Sequence, residues 1–212
     1  MKYIYREYLL DKLTNSYFDY FIDIGGGRGD FSTTLLEISP HTKIFIYEPF
    51  LEGYLFICDL FKSSLNIFVF NEALGNGSTL YLKSMPRWDQ NIFEEKDLSG
   101  DNVSVLSRTL KSIIDSNKID LTKRCGIKVD CEGGEWFLVR DVENIDLLKQ
   151  FSYAAIEVHF KPTGLKNPQF KNFPVWQEFN SWIENNFKKY FHVQYVNSSK
   201  HRGHGIYILN RI

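Results

Sequence analysis

Two stretches of this chain crowd chemically capable side chains against turns. The first is Asp23-Ile24-Gly25-Gly26-Gly27-Arg28-Gly29-Asp30. Glycines let a backbone turn sharply and approach a ligand closely, because no Cβ intervenes. A strand, a glycine-rich turn and a helix together make a nucleotide-type cradle. The second stretch is Lys128-Val129-Asp130-Cys131-Glu132-Gly133-Gly134-Glu135, where carboxylates and a lysine gather before glycines; Glu157-Val158-His159 follows downstream. Like charges this close together need a reason. Side chains spaced i, i+2 along a strand share a face. That puts Asp130 and Glu132 together, and Glu157 and His159 together.

The glycine turn discriminates between cofactors. A dinucleotide fingerprint started at Gly25 needs glycine at position 30, where this chain has Asp30. An acidic residue at a helix start also repels a pyrophosphate. A carboxylate at Asp23 suits a cofactor with a cationic amino-acid end, such as S-adenosylmethionine. Asp23, Gly25, Gly27 and Gly29 are the expected cradle. Glu48, about 25 residues after Asp23, stands where an acidic residue meets ribose hydroxyls, with Pro49 beside it. After the next strand, Glu72 and Ala73 are expected to face the adenine, with Asn71 as an alternative to Glu72, and Asp130 completes the cofactor's surroundings.

A sulfonium already carries an activated methyl group, so the protein must align an acceptor and remove its proton. His159 is the natural base, since its ordinary pKa lies near neutrality. Glu157 orients its ring or binds substrate, and Asp130 is the third catalytic candidate. A rival arrangement makes Asp130 and Glu157, with His159 or Glu132, ligands of magnesium or manganese; the reading without a metal is preferred. Glu132, Trp88 and Arg108 are candidate substrate contacts, as is Arg87. His192, His201 and His204 have no carboxylate partner nearby in sequence and read as structural.

The elements that must position these groups alternate. Strands are expected at Tyr20–Ile24, Lys43–Tyr47, Asn66–Phe70, Cys125–Val129 and Ser152–His159, with a short extra one at Ser78–Leu82. Helices are expected at Tyr5–Leu13, Asp30–Ile38, Phe50–Lys62, Thr109–Ser116, Glu135–Val142 and Val175–Phe187. Pro86–Asn102 and Lys161–Pro174 read as loops. Phe191–Val196 and Gly205–Leu209 lack a helix between them and should form an antiparallel hairpin at a sheet edge. The pattern predicts an α/β fold with a mostly parallel sheet covered on both faces, that is, three α/β/α layers. Ligands in such sheets bind beyond the carboxyl ends of the strands, where the singled-out residues stand.

With 212 residues, the chain suits one domain: an N-terminal helix in 1–18, a cofactor-binding core in 19–160, and a C-terminal helix and hairpin in 161–212. A net charge of −1 without a long basic run argues against nucleic acid as partner. Three cysteines without paired spacing suggest neither a disulfide framework nor a zinc site. No stretch reads as a signal peptide or membrane span. These features point to a cytoplasmic protein and say nothing of oligomeric state.

Several motifs occur in a telling order: Asp23-Ile24-Gly25 with Gly29, Phe31 and Ser32; Glu48-Pro49; Ala73-Leu74-Gly75; Arg108-Thr109-Leu110; Lys128, Asp130, Glu132-Gly133 and Glu135; and Glu157 with His159. In these the chain resembles the FkbM family of S-adenosylmethionine-dependent methyltransferases, from about Phe21 to His159. The resemblance implies a Rossmann-like class I methyltransferase fold, whose seven-stranded sheet ends in an antiparallel strand. It also implies O-methylation of a hydroxyl on a sugar or small molecule. Gly26-Gly27 replace a frequent Ala-Asn, and Lys111 replaces a common Asp, so no role is carried to position 111. An NAD-dependent oxidoreductase and a non-catalytic S-adenosylmethionine-binding protein are the alternatives.

Overall fold

In the computed structural model, the described residues are 8–10, 17–83, 92–93, 102–131, 133–159, 176–197 and 204–212. Their strands alternate apolar side chains with period two, but both sets are apolar, as in a sheet buried on both faces. In β1 (Tyr20–Ile24), Ile22 and Ile24 face one core and Phe21 the other. In β2 (Lys43–Tyr47), Phe45 and Tyr47 join the first core and Ile44 and Ile46 the second.

A seven-stranded sheet results. β3 (Ile67–Phe70), β2, β1, β8 (Cys125–Val129) and β9 (Tyr153–His159) run parallel, in that spatial order. The expected hairpin closes the far edge: β11 (His204–Arg211) lies antiparallel against β9, and β10 (Phe191–Asn197) pairs with β11 outside it. Helices α1 (Asp30–Ile38) and α2 (Leu51–Leu60) bury Phe31, Leu35 and Ile57 against one face, together with Tyr8 and Leu10. On the other face lie α3 (Leu110–Ser116), α4 (Trp136–Arg140), α5 (Glu143–Leu148) and α6 (Trp176–Phe187). They contribute Ile113, Leu138, Leu148 and Phe179 to that core. The three α/β/α layers are those expected, and the sheet is mostly parallel as expected.

A second sheet was not anticipated. β4 (Ala73–Leu74), β7 (Asn102–Arg108), β5 (Thr79–Lys83) and β6 (Ile92–Phe93) pair in that order. The loop reading of 86–102 is corrected at Ile92–Phe93, which pairs with β5. β7 escaped notice because its pattern is inverted: Ser107 is buried while Leu106 is 62% exposed. The Ser107 hydroxyl donates to the Ser78 carbonyl and accepts from Gly77 N–H, which makes its burial tolerable. The single helix expected over 135–142 ends at Arg140, and α5 follows as a separate element. Of the helix expected over 5–13 only Tyr8–Leu10 are described, and the loop expected over 161–174 lies outside the described residues. Cys58 is half-buried and Cys125 and Cys131 are buried, all three as free thiols.

Candidate active site

The glycine turn begins where β1 ends. Gly25 has φ 77°, and a Cβ there would stand 1.7 Å from the carbonyl oxygen of Asp130. The Asp130 N–H in turn donates to the Ile24 carbonyl at 3.0 Å. The ends of β1 and β8 are therefore held at a separation that only glycine permits. Gly27, with φ 55°, differs: nothing lies within 4 Å of where its Cβ would be. Its N–H donates to Glu48 Oε2 at 2.8 Å, and the Phe50 N–H donates to Oε1 at 2.8 Å. Burial pushes the Glu48 carboxyl above its ordinary pKa, against the pull of those two N–H groups. Asn71 donates its amide to the carbonyls of Glu48 and Pro49, fixing this corner. Gly29 precedes α1 and packs on Leu60 and Phe61.

Beneath the turn lies a buried ion pair. Asp23 is fully buried. It accepts from the Ser32 hydroxyl at 2.6 Å and stands 3.3 Å from Lys128 Nζ. Burial raises its pKa, opposed by Lys128 and Ser32. Lys128 also donates to the Gly25 carbonyl at 2.6 Å and lies 3.4 Å from Asp130 Oδ2. Burial alone would lower the Lys128 pKa, but Asp23, Asp130 and Glu157 outweigh it and the pKa is raised. The expectation that Asp23 meets a cofactor directly is therefore corrected. Its carboxylate is committed inside the protein, where it secures Lys128 and, through it, the glycine turn.

Beside this pair the ends of β8 and β9 converge. One ligating atom each from Asp130, Glu157 and His159 lie within 4.8 Å of one another. The Tyr8 hydroxyl reaches Asp130 Oδ2 at 3.2 Å and Glu157 Oε2 at 3.1 Å. Glu135, also fully buried, accepts from the Gly133 and His159 N–H groups and meets His159 Nδ1 at 3.1 Å. With Nδ1 turned to Glu135, the other ring nitrogen faces Asp130 Oδ1 at 3.8 Å. Burial would raise the Asp130 pKa, but Lys128, His159 and the Tyr8 hydrogen bond lower it.

The structure thus brings together Asp130, Glu157 and His159 as the spacing implied, and sets Gly25, Gly27 and Glu48 beside them. Glu72 and Arg108 form a bidentate pair at 3.0 and 2.9 Å, which engages the two side chains with each other. Ala73 is 1% exposed and packs with Leu80, Leu82 and Val105 inside the small sheet. Glu132 and Trp88, like Arg87, lie outside the described residues. Sequence reasoning gave no role to Tyr8, Lys128 or Glu135. Lys128 and Glu135 lay within a quoted motif and were findable there. Tyr8, 122 residues from Asp130, left no local signal.

Comparisons with known proteins bear on the fold. No family model matches the chain, and no curated protein does. FkbM membership therefore stays a resemblance of motifs. Solved structures do match. An rRNA methylase from Streptococcus thermophilus superposes with a TM-score of 0.53 at 8% identity, over 95% of this chain and 93% of that one. A putative rRNA-methylase from Clostridium thermocellum gives 0.52 at 8%, over 95% and 92%. A precorrin-6y C5,15-methyltransferase from Geobacter metallireducens GS-15 gives 0.50 at 14%, over 96% and 85%. Two of these three are described as acting on RNA, which overturns the exclusion of nucleic acid drawn from net charge. Net charge is a whole-molecule sum and does not describe a local binding surface. The mostly parallel α/β sheet with its antiparallel hairpin is the fold this chain shares with those three methyltransferase structures.

Proposed function

We propose that this chain is an S-adenosylmethionine-dependent methyltransferase that methylates a hydroxyl on a sugar, the ribose of RNA included. One juxtaposition carries the reading. The open face of Gly27, rimmed by the Glu48 carboxylate, stands at the strand ends next to Asp130, Glu157 and His159.

The residues fit the cofactor. The space beside Gly27 admits a ligand to within contact of the backbone. Each Glu48 oxygen uses one lone pair on a backbone N–H and retains another for a ribose hydroxyl. Asp130, half-buried, is the carboxylate that would hold the cofactor's ammonium, in place of Asp23. When bound, the cofactor supplies a methyl group on a sulfonium, a leaving group needing no further activation. The protein's task is to fix the acceptor and take its proton. Glu157 would hold the acceptor hydroxyl. His159, locked by Glu135 at Nδ1, would receive the proton at Nε2, and Asp130 would steady the resulting imidazolium.

Calorimetric titration with S-adenosylhomocysteine, S-adenosylmethionine and NAD tests the cofactor. Binding of both sulfur nucleotides, weakened in Glu48→Ala, with none of NAD, is the expected result; NAD binding alone, or no binding, would refute it. Transfer of labelled methyl to RNA, nucleosides and glycosides then identifies the acceptor class. Label confined to nitrogen or carbon positions would refute the hydroxyl assignment.

A further inference from the structure

We propose that the face formed by α2 and the edge strand β3 is a homodimer interface, covered by the same face of a second copy of this chain. The exposed stripe of α2 carries the inference. Positions 51, 52, 55, 56, 59 and 60 are its exposed residues. They include Leu51, Leu55, Phe56 and Leu60, each between 47% and 55% exposed. The inward face is apolar as well, through Ile57. A helix that is apolar on both faces is one that something covers.

β3 repeats the pattern. Among the described residues it pairs with β2 on one side and with no strand on the other. Its sequence, Ile67-Phe68-Val69-Phe70, holds no charge, no proline and no polar side chain. Edges left in water usually carry such protection, since a free ladder recruits other strands. The opposite edge of the sheet has it: β10 places His192 and Gln194 in solvent. On β3, by contrast, Phe68 is 41% exposed, and Leu65 just ahead of the strand is 97% exposed.

One symmetric arrangement accounts for both elements. A two-fold axis normal to the sheet lays two β3 strands edge to edge and antiparallel. α2 packs Ile57 into the same core as Ile67 of β3, so the axis sets two α2 helices side by side on that face. Phe68 stacks on Phe45 on the other face, and the two Phe68 side chains flank the junction there. A large apolar side chain has roughly 200 Å² of surface. The six exposed ones, Leu51, Leu55, Phe56, Leu60, Leu65 and Phe68, therefore offer on the order of 600 Å² per copy. Two copies bury about 1,200 Å², above the roughly 1,000 Å² that a specific interface needs. Charge decides the class of partner. Glu52 and Asp59 lie exposed within the stripe, and Lys62 is held by Asp59 at 3.1 Å. A helix lying on a membrane carries a basic polar face, and nucleic acid needs cations, so this acidic setting fits protein.

The inference does not rest on methyl transfer, because association is measured on the protein alone. Sedimentation velocity of the full chain across the micromolar range should show a monomer–dimer equilibrium. Leu55→Lys and Phe56→Glu each place a charge in the stripe without entering the core, and each should raise the dissociation constant at least about 30-fold. Leu65→Glu should weaken association in the same direction without altering the helix. Val142→Lys, at an exposed position preceding α5 on the opposite side of the sheet, should leave it within about twofold. Far-UV circular dichroism checks that each variant is folded. A monomer at every concentration, or a dimer unchanged in the three stripe and loop variants, would overturn the proposal. So would a monomeric chain that sediments with phosphatidylcholine–phosphatidylserine vesicles through the same residues, which would assign the stripe to a membrane.

Discussion

The two halves of the candidate site are built in different ways. The half proposed to hold the cofactor is made of backbone: glycines at positive φ, N–H groups on Glu48, and a strand end pressed against Asp130. The other half is made of side chains from three distant parts of the chain, with Tyr8, Asp130 and Glu157 sharing hydrogen bonds. A backbone site is written in sequence as residues that no other type replaces. A side-chain site is written only in residue types that have many other uses.

Lys128 joins the two halves, and its loss should have the largest effect. Lys128→Met strands Asp23 in the interior and should cost about 3–5 kcal/mol, lowering Tm by at least about 6 °C. Asp23 already has a raised pKa in the folded state, so its ionisation costs stability as pH rises above the ordinary 3.8. Without Lys128 that penalty deepens. The variant's Tm deficit should therefore be larger at pH 8 than at pH 5; a deficit independent of pH would argue against an ionised Asp23.

Two glycines sharpen the contrast within the cofactor half. Gly25→Ala forces a methyl into the Asp130 carbonyl and should cost about 2–4 kcal/mol, disturbing both halves at once. Gly27→Ala meets open space and should cost only about 1 kcal/mol, from its positive φ. It should nevertheless weaken S-adenosylhomocysteine binding more than tenfold. Thermal melts and titration with S-adenosylhomocysteine separate these outcomes; equal losses of stability would remove the distinction.

Glu48 gives a smaller, pH-dependent effect. Its folded pKa lies above the ordinary 4.5, and protonation removes an acceptor for ribose hydroxyls. Affinity for S-adenosylhomocysteine should hold at neutral pH and fall as pH drops through that raised value. Glu48→Gln should bind about tenfold more weakly and lack this step. The smallest effect is expected at the Glu72–Arg108 pair, whose side chains are partly exposed and bonded to each other. Arg108→Ala should change stability by at most about 1 kcal/mol and leave affinity within about twofold. A large loss of affinity would return Arg108 to the site.

How much of this was legible in the sequence follows from the same contrast. The central strands were readable because each is apolar on both faces between turn residues, and α1 because it follows the glycine turn. Asp130, Glu157 and His159 could be paired because strand spacing is local. Asp23 was misjudged because the motif gives its type but not the approach of Lys128, which arrives from the neighbouring strand β8. The Glu72–Arg108 pair was missed for a similar reason, since β7 and its partner β4 were not recognised as strands. Ser107 inward and Leu106 outward reverse the usual signal, and side-chain hydrogen bonds that rescue a buried serine cannot be read from residue order.

The strand order also has a kinetic side. β1 pairs with β2 soon after it in the chain, but its other neighbour is β8, where Tyr20 meets Cys125. Pairings between such distant segments form slowly, because the intervening chain must be closed first. A chain emerging from the ribosome would thus present β1 with one unpaired edge, flanked by Ile22 and Ile24 side chains, until β8 arrives. Such edges invite association with other chains. Through that interval the glycine turn has no Asp130 carbonyl to rest against. The nascent protein carries its most recognisable motif well before the strand end that the motif packs against.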